Sequence, residues 1–278
     1  LLDPIYLVAA AAMDYFDKLN AIDCITLSGK KQSDWYIQRA KDAMDSGALV
    51  YAGKYSEPDY ELILSQGCDL AVENTMIYHS PAVVEQLEET YSYETQPLGR
   101  MEWIKLYAAL LDKEDEAEAL FNEKMDSVAY VLEQQPTGKT VAFFYITSSG
   151  AVNVRKSTDY VAKCVTIAGG DYVSFDESAE DNAQSTINIQ MESFYHGAVD
   201  ADVLIYNSII DGELHTLDEL VALDPLMADF KAVKSGNVWC LTKNFYQESL
   251  ELSDLILDVN HALNDAPDTA FHFLTRMK

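Results

Sequence analysis

The chain has 278 residues, with 19 lysines and arginines against 46 aspartates and glutamates, a formal net charge of −27, and 49% hydrophobic residues. Nucleic acid and anionic membrane would both be repelled by so acidic a surface, whereas a basic protein surface would be attracted. The length can bury one large core or two of roughly 130 residues each, and the composition excludes a disordered chain.

The longest apolar run near the start, residues 5–13, is nine residues long, far short of the roughly 20 that a membrane helix requires. It reads as a strand over 5–9 passing into a helix that runs through Met13 to Leu19. Asp3 and Pro4 stand where a signal peptide would carry positive charge, and the chain begins without methionine. The expectation is an extracytoplasmic protein whose signal segment, with any lipid anchor, is absent from this chain. Residues 24–27 predict a second strand closed by Ser28-Gly29, residues 35–44 a helix stopping near Gly47, and residues 49–51 a third strand. Residues 70–72 predict a further strand, and residues 82–89 read as helix.

Residues 100–111 predict an apolar helix, and residues 113–134 a longer one with Ala117, Leu120, Phe121, Val128 and Leu132 on one stripe, ended by Pro136-Thr137-Gly138. About 20 helical residues reach roughly 30 Å, enough to bridge two lobes as a strut. The expected division is therefore an N-terminal lobe over 1–111, a linker helix over 112–135 and a C-terminal lobe over 136–278. The second half restarts with strands over 140–146 and 151–154, turned at Ser149-Gly150, then a helix begun by Ser157 or Thr158 and stopped at Gly169-Gly170. Strands over 203–206 and 238–241, a helix over 216–223 and a closing amphipathic helix over 249–263 complete an α/β pattern of mainly parallel sheets covered by helices.

One design occurs twice. In residues 59–72 and again in 190–205, a glutamate opens a short helix and an aspartate then enters an apolar strand. Glu61 and Asp69 are 8 residues apart, Glu192 and Asp202 are 10 apart, and the two glutamates are 131 apart. That separation belongs to two similar lobes rather than to a solenoid repeat. A carboxylate in a helix's first turn is favoured by the helix dipole alone. Equivalent placement in two modules adds a second reading, in which Glu61 and Glu192 project at opposite ends of one face toward arginines on a two-subunit partner.

Enzyme signatures are missing: there is no GxGxxG, GxxxxGKS/T, GxSxG or HExxH. Cys24, Cys68, Cys164 and Cys240 form no CxxC and read as buried free thiols. The histidines at 79, 196, 215, 261 and 272 have no paired spacing, which argues against a bare-ion metal site. Ligands of parallel α/β sheets sit at the carboxyl ends of strands, so residues after each apolar run are the binding candidates. They are Met13, Lys54, Tyr55, Met76, Tyr78, His79 and Tyr93 in the first half, and Ser148, Tyr206, Asn207, Asn244, Phe245 and Tyr246 in the second. Aromatic rings offer flat contact area at small entropic cost, and Tyr78 or His79 is a candidate ligand to a chelated iron. Arg100 and Arg155 are candidate partners for ligand carboxylates or catecholates, although helix capping, an ion pair or simple solvation would also explain them.

Gly53-Lys-Tyr-Ser-Glu-Pro-Asp-Tyr-Glu-Leu-Ile-Leu64 with Asp69-Leu-Ala-Val72, Pro97-Leu-Gly-Arg-Met-Glu-Trp-Ile-Lys105 and Gly236-Asn-Val-Trp239 resemble solute-binding proteins of ATP-driven importers for iron complexes, haem and cobalamin. The resemblance spans nearly the whole chain. It implies two Rossmann-like lobes joined by one long α-helix, a ligand held in a cleft, small opening motions, a monomer and no permanently bound cofactor. It also implies that Glu61 and Glu192 dock onto arginines of an ABC permease dimer. The segment after residues 85–89 is several residues short of a full strand before Tyr91-Ser92-Tyr93-Glu94, which leaves the fourth strand of the first lobe open. The expected function is capture of a chelated metal, a ferric siderophore or haem, for delivery to the permease without covalent chemistry. The alternatives are a corrinoid-binding member of the same family, a doubly wound enzyme acting on a tetrapyrrole or phosphorylated substrate, and an adhesion or sensor domain.

Overall fold

The computed structural model describes residues 3–74, 85–89, 93–175 and 184–278. The chain divides into two compact units. The first comprises Leu1–Glu94, Gly99–Lys124 and Tyr246–Glu251, and the second Thr95–Leu98, Met125–Phe245 and Leu252–Lys278.

In the first unit, strand β1 (Ile5–Leu7) leads to helix α1 (Ala12–Lys18), β2 (Ile25–Ser28), α2 (Gln38–Ser46) and β3 (Val50–Tyr51). A small antiparallel hairpin, β4 (Gly53–Lys54) with β5 (Glu57–Pro58), precedes α3 (Tyr60–Gln66), β6 (Leu70–Asn74) and β7 (Glu85–Glu89). The main sheet has the order β3-β2-β1-β6-β7, and every pairing in it is parallel. Ile5, Tyr6 and Leu7 at its centre are buried, which is why that run shows continuous apolar character instead of alternation.

Strand β7 corrects the reading of residues 82–89 as helix. It pairs in register with β6 from Leu70↔Glu85 to Asn74↔Glu89 and supplies the strand that the resemblance left open. Glu-Gln-Leu-Glu-Glu is a helix-forming composition, but tertiary pairing at a sheet edge overrides local propensity, and edge strands commonly carry charge.

The helix expected over 100–111 is two helices, α4 (Pro97–Glu102) and α5 (Ile104–Leu111), divided at Trp103. Asp112 closes α5 in the left-handed conformation. Helix α6 (Glu114–Leu132) then opens with Glu114, Asp115 and Glu116 in its first turn, where the helix dipole favours them. The division between the units falls inside α6, between Lys124 and Met125.

In the second unit, β8 (Thr140–Ile146), β9 (Val152–Arg155), α7 (Tyr160–Ile167), β10 (Asp171–Tyr172), β11 (Thr186–Ile189), α8 (Met191–Ala198) and β12 (Val203–Tyr206) follow in order. Helices α9 (Leu217–Leu223) and α10 (Lys231–Ser235), β13 (Val238–Leu241), α11 (Leu252–Leu263) and β14 (Leu274–Arg276) complete it. The sheet order is β11-β9-β8-β12-β13-β14, with β10 also paired to β8. Pairings of β8 with β10 and β12, and of β12 with β13, are parallel. Those of β8 with β9, β9 with β11 and β13 with β14 are antiparallel, so this sheet is mixed where the sequence predicts mainly parallel strands. The β8–β9 pair arises from the tight turn between Thr147 and Ala151, which sends the chain back as a hairpin instead of through a helical crossover. Helix α7 is capped by Asp159, whose carboxylate accepts from the Val161 N–H at 2.9 Å, rather than by Ser157 or Thr158.

The doubled module has a common topological meaning. Helix α3 leads to β6, beside the first strand of its unit, and α8 leads to β12, beside the first strand of the other. In each, the aspartate N–H ties the new strand to the start of that first strand: Asp69 N–H donates to the Pro4 carbonyl (2.8 Å) and Asp202 N–H to the Thr140 carbonyl (3.0 Å). Burial opposes ionisation of Asp202, yet hydrogen bonds from Lys231 and from the Thr140 N–H and hydroxyl hold its carboxyl below the usual range.

A buried charge cluster knits the first unit to its late segment, Tyr246–Glu251. Asp14 accepts from the Leu250 N–H at 2.8 Å, Ser249 donates to the Ala11 carbonyl at 2.9 Å, and Glu251 is paired with both Lys18 and Lys124. Burial pushes the Asp14 carboxyl from 3.8 up to about 7, opposed by the Leu250 hydrogen bond and Lys18 and reinforced by Glu251 and Glu248. A carboxyl raised in the folded state stabilises the fold fully below its unfolded pKa, and this contribution is lost as pH rises through the folded value. Asp14→Asn should therefore make stability fall less steeply between pH 3.8 and about 7, as measured by urea midpoints across that range.

Candidate ligand-binding site

In the first unit β1, β2 and β3 run parallel, so the chain leaves all three at the same end of the sheet. A cleft of about 680 Å³ opens there. It is lined by Val8 and Ala10 after β1, by Gly29, Lys30, Lys31, Ser33 and Asp34 after β2, and by Tyr51, Lys54 and Tyr55 at and after β3.

The loop after β2 is fixed by one hydroxyl. Ser28, fully buried, donates to the Lys30 carbonyl (2.8 Å) and accepts from the Lys30 N–H (3.0 Å) and from Nε1 of the buried Trp35 (3.2 Å). These three bonds use its single donor and both of its lone pairs. The following residue must be small: a Cβ on Gly29 would come within 3.1 Å of the Val8 Cα. Across the cleft, Gly53 has φ +85° and a Cβ there would strike the Glu57 carbonyl, so glycine is required for the hairpin that carries Lys54 and Tyr55. Lys31 Nζ lies 5.8 Å from the centre of the Tyr51 ring, within cation–π range, and Lys54 Nζ is 3.5 Å from the Glu57 carboxylate.

Of the residues proposed from sequence, Lys54 and Tyr55 line this cleft. Met13 does not: it lies on the inner side of α1, fully buried in the core. Arg100 is also buried, its Nε donating to the Glu94 carbonyl and its own carbonyl accepting from Tyr15, each at 2.6 Å. Tyr93 is exposed, while Met76, Tyr78 and His79, including the candidate iron ligands, lie outside the described residues.

In the second unit, Ser148 is exposed in the turn after β8, Asn207 follows β12 but is buried, and Asn244 is half-buried in a short 3-10 helix after β13. All three stand beyond the carboxyl ends of mutually parallel strands. Tyr206 and Phe245 are core side chains instead of lining residues. Tyr206 meets Phe144 edge-on at 5.7 Å and burial pushes its hydroxyl up to about 12, whereas Phe245 stacks on Tyr160 and meets Phe273 edge-on. Tyr246, half-buried, belongs to the segment that returns to the first unit. Arg155 is paired with Asp159 and reaches Ser185, both at 3.3 Å, so its guanidinium secures the approach to α7.

Lys30, Lys31 and Asp34 were not among the residues proposed from sequence. Ser28-Gly29 reads simply as a turn, but two consecutive lysines immediately after a strand are a signal in a chain where acids outnumber bases 46 to 19. Glu61 and Glu192 are both exposed in the first turns of α3 and α8; Asp59 caps α3 through the Leu62 N–H, and Gln190 gives α8 no side-chain cap.

Residues 8–244 match the family model for periplasmic binding proteins, and the chain belongs to that family. An uncharacterized lipoprotein of Methanocaldococcus jannaschii is 28% identical over 243 residues, covering 82% of this chain and 55% of the relative, so the chain spans about half the length of that relative. The fold is similar to that of a periplasmic haem-binding protein from Pseudomonas aeruginosa, at TM-score 0.71 and 16% identity, with 100% of this chain and 99% of that one covered. It is similar also to an ABC-type Fe3+-hydroxamate transport system from Saccharomonospora viridis, at TM-score 0.67 and 19% identity, with 95% and 94% covered. Among the described residues no helix is long and apolar enough to cross a membrane.

Gly53→Ala tests the origin of the hairpin. Forcing a side chain into a left-handed conformation costs about 1–2 kcal/mol, and the clash with Glu57 adds to it, so the melting temperature should drop by several degrees. An unchanged melting curve would show that the hairpin tolerates a Cβ there.

Proposed function

We propose that this chain is the extracytoplasmic receptor of an ABC importer, which captures a chelated metal, a ferric siderophore or haem, and delivers it to the permease. The cleft at the ends of β1, β2 and β3 carries this reading: at about 680 Å³ it lies within the range of small-molecule sites, and its wall combines tyrosines with cationic groups. The iron-bearing ligands named for two structural neighbours agree with a bulky chelate, and the lipoprotein relative agrees with an extracytoplasmic location. The chelate is cargo, not a cofactor, and its capture needs no covalent step. Lys54 and Tyr55 are proposed contacts, with Ser148 and Asn244 the best-placed candidates of the second unit.

Glu61 and Glu192 are proposed to dock the loaded protein on a basic surface of a permease dimer. Each is exposed, and each opens the helix that precedes the strand beside its unit's first strand. Charge reversal at both, Glu61→Arg with Glu192→Arg, should leave chelate affinity within about twofold and abolish uptake by cells carrying the importer, since like charges at an interface cost several kcal/mol. Uptake at the wild-type rate would defeat the docking assignment, and loss of binding would place the two glutamates elsewhere.

A further inference from the structure

The charge of the cleft opposes the charge of the chain. Three of its lining residues are lysines and one is an aspartate, in a protein of net charge −27. Lysines and arginines elsewhere are commonly neutralised: Lys18, Arg39, Lys105, Lys139, Lys231 and Arg276 each have a carboxylate within 4 Å. Lys54 at the cleft is likewise paired, with Glu57. Lys30 and Lys31 have no such carboxylate among the described residues, although the chain supplies 46 acids.

Their placement is also built, not incidental. The Ser28 hydroxyl grips the backbone of Lys30 at both its N–H and its carbonyl, and Gly29 allows that loop to press against Val8. Lys31 is steered over the Tyr51 ring. Two ammonium groups on a fixed loop, beside the rings of Tyr51 and Tyr55, offer charge to an anionic periphery and flat apolar surface to an aromatic body. An anionic ligand would bring both charges a counterpart that a neutral one does not supply.

We infer that Lys30 and Lys31 form an anion-recognition subsite, so that the captured chelate is a multiply anionic aromatic one, bearing carboxylate or catecholate oxygens, rather than a neutral one. This rests on the chelate-capture reading and narrows it. The shared chemistry can come from haem, through its propionates, or from a catecholate siderophore.

The test is equilibrium titration of the whole chain with haem, with a trianionic ferric tris-catecholate and with a neutral ferric trihydroxamate, at low and high salt. Haem or the tris-catecholate should bind at least about tenfold more tightly than the trihydroxamate, and added salt should weaken that binding. Lys30→Gln with Lys31→Gln should cost the anionic chelate about tenfold per lysine, the worth of one hydrogen bond to a charged group. The same pair changed to arginine should retain most of the affinity. Lys31 is exposed and Lys30 half-buried with no side-chain partner of its own among the described residues, so melting curves of the variants should overlay that of the wild type. Whichever of haem and tris-catecholate binds more tightly identifies the source of the anionic groups. Equal binding of the neutral trihydroxamate, with the glutamine variants unaffected, would overturn the anion subsite and leave chelate capture standing. Binding of none of the three would overturn both.

Discussion

Strand β1 is three residues long, buried, and hydrogen-bonded to parallel neighbours on both edges, and the first unit is organised around that fact. Parallel strands cannot be joined by tight turns, so the chain must return over the sheet each time, and α1 is the first of these crossings. The same rule collects the carboxyl ends of β1, β2 and β3 on one side, where loops rather than regular structure meet. A short central strand therefore produces the cleft as a by-product of satisfying its own backbone. In the second unit β8 has seven residues, long enough to pair with β9, β10 and β12, and the sheet around it is correspondingly less regular.

The electrostatics of the molecule work at two scales. Over the whole surface the excess of acids sets which macromolecules can approach, and exposed Glu61 and Glu192 are part of that field. Within a few ångströms, local placement overrides it: the Ser28 hydroxyl, Gly29 and the Gly53 hairpin bring cationic side chains to one concavity. Screening makes this separation possible, because at physiological salt a charge more than about 8 Å away is largely masked while one in the cleft is not.

Much of the fold was legible because buried strands advertise themselves. Thr140–Ile146, Val203–Tyr206 and Val238–Leu241 have in the structure the same bounds that their apolar runs predict. The exceptions have physical causes. Residues 85–89 are charged and helix-prone, and only pairing with β6 makes them a strand; Asp159 outcompetes Ser157 and Thr158 as the cap of α7 because its carboxylate meets the Val161 N–H. The site was legible in part. The rule that ligands sit beyond strand ends found Lys54 and Tyr55, but sequence does not say whether the last residue of a strand turns outward, and Tyr206 turns into the core. Lys30 was not proposed because Ser28-Gly29 reads as a turn, and the grip of the Ser28 hydroxyl on the Lys30 backbone is visible only in three dimensions.

The segment Tyr246–Glu251 belongs to the first unit, although the residues on either side of it belong to the second. As the chain emerges from the ribosome, Asp14, Lys18 and Lys124 are made long before Leu250 and Glu251, the groups that complete their buried cluster. The first unit thus reaches its final set of interactions only after residue 251 has been synthesised. A nascent chain halted before residue 246 therefore lacks the groups that complete the buried cluster around Asp14.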